Sequence, residues 1–160
     1  MSADDARRWI EAARDPAISS ALDAFYDALR LEIEALAPVC VASGKCCHFE
    51  AYEHRLFVTG LEAATTAVRL ESRPALSALD EPGCPFQVGR LCSVHTIRPF
   101  GCRVYYCDPK ARDWMEDASE RYLRAIRALH EAHDLTYHYG EWRSMLRIVL
   151  GVLDDPTSSS

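Results

Sequence analysis

The chain has 160 residues, of which 49% are hydrophobic and 26% charged, and its formal net charge is −6. That balance fits one globular domain able to bury its own core, and it argues against nucleic acid or anionic lipid as a partner, since both repel a negative chain. No apolar run approaches the roughly 18 residues of a membrane span, and MSADDARRWIEAARDPA lacks the apolar segment of a secretory signal. The expected location is therefore cytoplasmic, where seven cysteines serve better as metal ligands or redox groups than as disulfides.

In chain order, Ser2 with Asp4 and Asp5 predicts a helix start, because acids suit the positive end of the helix dipole. Asp15-Pro16 predicts a second start, with Asp15 as N-cap and Pro16 at the first helical position. Ile18, Leu22, Phe25, Leu29, Ile33 and Leu36 then recur every three or four residues, one face of a long helix that stops before Pro38. Period-2 alternation is weak everywhere except around Arg55 to Thr59, so strands are expected to be few and short. Thr59-x-x-Glu62 fits a capping box and opens a helix to about Ser72.

Residues 80–110 carry Gly83, Gly89, Gly101 and four prolines, and read as irregular loop. From about Ala111, the positions Trp114, Ala118, Tyr122, Ile126, Leu129 and His133 trace another helix face, with Asp117–Arg121 and Glu120–Arg124 as expected i,i+4 pairs. A break at 136–140 precedes a last helix over about 141–152. The expected fold is mostly α: one small helical domain over 1–153 with a Gly/Pro-rich cysteine region forming a metal site, and a disordered tail over 154–160.

The cysteines avoid these helices. Cys40, Cys46 and Cys47 follow the long helix, and Cys84, Cys92, Cys102 and Cys107 lie in the glycine- and proline-rich segment. Turns that let thiolates converge need such residues. Four thiolates can hold zinc or an iron–sulfur cluster. The chain has no Cys-x₂-Cys, its nearest match being Cys92-x₂-His95. Adjacent Cys46 and Cys47 diverge unless the backbone bends sharply, which a larger cluster accommodates more easily than one zinc ion. Segment 84–112 holds Arg90, Arg98, Arg103, Lys110 and Arg112 against Asp108 alone. Guanidinium groups there would offset thiolate charge and donate to sulfur, so Arg98 and Arg103 are expected beside the cofactor. His48, His130, His133 and His138 are expected to be structural or exposed. Tyr105, Tyr106, Tyr137, Tyr139 and Trp142 are expected to pack over the site.

The stretch Cys84-Pro85-Phe86-(x)₅-Cys92-Ser93-Val94-His95-Thr96-Ile97-Arg98-Pro99-Phe100-Gly101-Cys102-Arg103, with Gly44-Lys45-Cys46-Cys47 upstream, resembles the YkgJ-type cysteine-cluster family. That family is described as zinc- or iron-chelating and includes a flagellin lysine methylase branch. The resemblance covers roughly residues 40–107. It implies metal binding through Cys40, Cys46, Cys47, Cys84, Cys92 and Cys102, and it supplies no reaction. Two positions depart from the family pattern. Ser43 stands where a thiol is usual, which Cys107 could replace, and His95 stands where an aromatic residue is common. The expectation is an iron–sulfur protein with a redox, electron-transfer or accessory role and a protein or redox partner. A structural zinc module for protein contacts and a metal-dependent enzyme are the alternatives.

Overall fold

The structure, a computed structural model, describes residues 1–155 and is mostly helical. Helix α1 spans Ala3–Arg14 and α2 spans Pro16–Leu36. Ser2 and Asp5 form a reciprocal capping box, and Asp15 caps α2 by accepting from the Ala17 N–H at 2.8 Å. Helix α2 ends at Ala37 in the left-handed region, just before Pro38. Strand β1 (Phe57–Thr59) leads into α3 (Gly60–Arg69), which stops three residues short of the expected Ser72. Strands β2 (Gln87–Val88) and β3 (Leu91–Cys92) form a small hairpin. Helix α4 (Phe100–Val104), α5 (Arg112–Ala132), β4 (Tyr139–Glu141) and α6 (Trp142–Leu153) complete the described chain.

The break at 136–140 does more than separate helices. Its end becomes β4, antiparallel to β1, with Phe57 opposite Glu141 and Thr59 opposite Tyr139. The pairing brings the start of α6 beside the start of α3, and the Trp142 N–H donates to the Leu56 carbonyl at 2.8 Å. Of the expected tail, 154–155 are described. Asp154 caps α6 and pairs with Arg73 at 3.1 Å, while 156–160 lie outside the described residues.

Helices α1, α3 and α6 pack together at one end of the core. Trp9 is fully buried there, its indole N–H donating to the Thr136 carbonyl at 2.9 Å. The ring lies flat on the backbone of Gly60, and a Cβ at that position would sit well inside van der Waals contact with three atoms of the indole. A fully buried ring held by its own hydrogen bond has little room to yield. Gly60→Ala is expected to cost about 1–3 kcal/mol through overpacking, read from the urea midpoint.

His130, expected to be structural or exposed, is fully buried on α5. Its Nδ1 bonds the Ile126 carbonyl at 2.8 Å, its Nε2 has no partner among the described residues, and Tyr137 meets the ring edge-on at 5.3 Å. Burial lowers its pKa below the usual histidine range, against a smaller raising effect of the Ile126 carbonyl and of Glu62. A histidine harder to protonate folded than unfolded costs stability once the unfolded chain begins to take up the proton. The melting temperature is therefore expected to fall as pH drops below about 6.5. That slope should be reduced in His130→Gln.

Candidate metal centre

The two cysteine segments are joined by backbone and side-chain hydrogen bonds. Gly44, at φ 73°, turns the chain into a single 3-10 turn, Lys45–Cys47. The Cys84 N–H donates to the Cys47 carbonyl at 2.9 Å, and Gln87 Nε2 donates to the Gly44 carbonyl at 3.1 Å. The Gly83 N–H reaches Glu50 at 2.7 Å, and Glu50 in turn pairs with Arg143 of α6 at 2.6 Å. A side chain at Gly44 would need the left-handed region and would press on Gln87 and the backbone of Arg90, so only glycine fits this contact.

This junction places Cys46, Cys47, Cys84, Cys92 and Cys102 around one cavity of about 710 Å³. Cys47 stands between Cys46 and Cys84, and the three thiols perturb one another's ionisation. Cys47, with burial, pushes the Cys46 thiol far up. Cys47 is lowered by Cys46, but Cys84, burial and neighbouring thiols outweigh this and push it up to about 11. Cys84 is lowered, first by Cys47 and, against burial, by the Phe86 N–H and Trp142. Burial and the other thiols raise Cys102, while Arg98 opposes them. The sharp bend after Gly44 is what lets both members of the Cys46-Cys47 doublet face the same space.

Two further groups on the cavity wall have no hydrogen-bond partner of normal geometry among the described residues. They are the Nε of Arg98 and the indole Nε1 of Trp142, both buried donors. Trp142 faces Cys84, whose ionised form it favours. A buried donor left unmatched costs about 1–3 kcal/mol, so both atoms suit an acceptor placed in the cavity.

The other expected site residues stand elsewhere. Cys40 and Cys107 are exposed and outside the cavity. Asp108, next to Cys107, accepts from the N–H of Val39, next to Cys40, at 3.0 Å. Arg103 does not line the cavity. Its guanidinium lies 4.1 Å from the Tyr26 ring centroid and donates to the carbonyls of Arg98 and Thr96. It fixes the loop that carries Arg98. His95 is exposed, and its pKa is lowered by partial burial and by Arg98 and Arg103. Among the described residues, no group of three or more His, Cys, Asp or Glu side chains already stands at the spacing a metal ion needs.

One residue of the site's support was read from the sequence as a cap alone. Glu62 is 2% exposed and completes the Thr59 capping box, yet its Oε1 also accepts from the Phe100 N–H at 2.9 Å and the Tyr26 hydroxyl at 3.2 Å. It thereby fixes the start of α4, the helix that presents Cys102. The stacked Phe100 and Tyr122 rings, 3.7 Å between centroids, back the same helix from the other side.

Comparison with known proteins yields no matching family model, no matching curated protein and no matching solved structure. No helix among the described residues is long and apolar enough to cross a membrane.

Proposed function

We propose that this protein holds an iron–sulfur cluster in the cysteine-lined cavity and serves a redox, electron-transfer or accessory role toward a partner protein. The observation that carries the reading is the sharing of one cavity by five thiols from two distant segments. Cys47, Cys84, Cys92 and Cys102 would hold the group, with the more exposed Cys46 as a fifth thiol. Thiolate-held clusters are negative and accept hydrogen bonds at sulfur, which matches the unpartnered donors of Arg98 and Trp142. Five thiols facing one space suit a cluster better than one zinc ion, which draws four ligands to a point. The resemblance to the YkgJ-type family supports metal binding by these thiols.

When bound, the cluster would supply an electron couple. Arg98 and Trp142 would then set how readily it accepts an electron, and Phe86 and Val94 would limit water at its inner side. Visible absorption of anaerobically purified protein, before and after dithionite, tests the reading. A broad band that bleaches on reduction is expected. A colourless protein holding one zinc per chain would instead favour a structural zinc module for protein contacts.

A further inference from the structure

Cys40 and Cys107 are the outermost cysteines of the chain, and the other five lie between them in sequence. Those five line the cavity, whereas the outer two stand outside it, exposed to solvent. The fold nevertheless brings the segments of the outer two together. The Val39 N–H donates to Asp108 at 3.0 Å, so each exposed thiol sits one position from an end of the same hydrogen bond.

The segment carrying Cys40 is lightly held. Ala37 and Ala42, at φ 47° and 48°, bound it in the left-handed region, which is unfavourable for a residue with a Cβ. Between these two alanines the bond to Asp108 is the only hydrogen bond among the described residues. Residues 38–43 belong to no helix or strand, and Val39 and Val41 are 65% and 76% exposed. Cys107 lies in the connection between α4 and α5, two positions after Tyr105 on the cavity wall. A disulfide needs Cα atoms about 4.4–6.8 Å apart. A short exposed loop already tied to the second segment can supply that approach by its own adjustment.

We propose that Cys40 and Cys107 form a reversible disulfide that clasps the two cysteine segments together beside the cavity. The oxidant is a small disulfide such as oxidised glutathione. One protein thiolate attacks its S–S bond and releases one glutathione thiolate. The other protein thiolate then attacks the mixed disulfide at the protein sulfur and releases the second. Two protein thiols are oxidised by two electrons, and one glutathione disulfide becomes two thiols, which take up the two protons. The ring so closed runs from residue 40 to residue 107 and holds every cavity thiol within it. Such a link restrains the unfolded chain, and exposed disulfides are the labile, regulatory ones. The clasp does not rest on the metal reading, since it uses none of the cavity thiols.

The test equilibrates the full chain in glutathione buffers of rising oxidised fraction, then alkylates it and cuts it with trypsin without reduction. Cys40 falls alone in peptide 31–45 and Cys107 alone in peptide 104–110, so mass spectrometry reads the link directly. The two peptides are expected to be joined in oxidised buffer and separate again on return to reduced glutathione. The urea midpoint should rise with the link in the parent chain and stay unchanged in Cys40→Ser. Asp108→Ala, which removes the contact between the segments, should lower the linked fraction in a given buffer. Glutathione adducts alone, or a link from Cys107 to the peptide holding Cys46 and Cys47, would overturn the proposal. Iron and zinc are counted on the same samples. A link formed in metal-free protein supports the clasp and counts against the cluster alone. A metal-loaded protein that never links does the reverse.

Discussion

Serine at Cys84, Cys92 or Cys102, introduced one at a time, is expected to lower bound metal by roughly tenfold or more, whereas serine at Cys40 or Cys107 should leave it unchanged. The contrast follows from position. The first three thiols line the common cavity, and the last two are exposed outside it. Cys84 should be the most sensitive, because its ionised form is favoured by Cys47, the Phe86 N–H and Trp142 against its burial. Iron or zinc analysis of each variant, with circular dichroism to establish that it folds, gives the answer directly. Loss of metal in Cys40→Ser, with retention in Cys92→Ser, would mean that the wrong thiols have been grouped.

The second large effect is expected away from the thiols. Glu62→Ala removes the acceptor shared by the Thr59 N–H, the Thr59 hydroxyl, the Tyr26 hydroxyl and the Phe100 N–H. Several buried donors are orphaned at once, so a loss of about 3–5 kcal/mol is expected. Glu62→Gln keeps the shape and one carbonyl acceptor and should cost about 1–3 kcal/mol. Chemical denaturation followed by circular dichroism separates the two. Since Phe100 begins the helix bearing Cys102, Glu62→Gln should also weaken metal retention more than a surface change such as Glu34→Gln. An unchanged denaturation midpoint in Glu62→Ala would contradict the role given to this carboxyl group.

What could be read from the sequence was what depends on neighbours along the chain. The caps at Ser2, Asp15 and Thr59 formed as expected, because a cap needs only residues within three positions. The long apolar faces of α2 and α5 were visible for the same reason. The absence of thiols from the long helices was also plain in the spacing, but the short helix α4 that carries Cys102 and the strand β3 that carries Cys92 were hidden in a segment expected to be irregular loop. The pairing of β1 with β4 was hidden, since each strand is three residues long and finds its partner about eighty positions away.

The same limit explains the site residues that moved. Arg103 was placed beside the cofactor on local charge alone, but a guanidinium goes where planar partners are, and the Tyr26 ring comes from α2. Glu120 was paired with Arg124 on i,i+4 spacing, a contact worth only a few tenths of a kcal/mol, and it faces the cavity instead. Cys40 belonged with the doublet by sequence distance, but the left-handed Ala42 and Gly44 separate the path of Cys40 from that of Cys46 and Cys47. No local signal could have found the second role of Glu62, because Phe100 is 38 positions away.

The metal claim is tested most directly by counting iron, zinc and acid-labile sulfide per chain in protein purified without oxygen, alongside a titration of reactive thiols. The predicted result is stoichiometric iron and sulfide, with Cys40 and Cys107 the thiols that react readily. A protein free of iron and zinc, with all seven cysteines titrating freely, would contradict it.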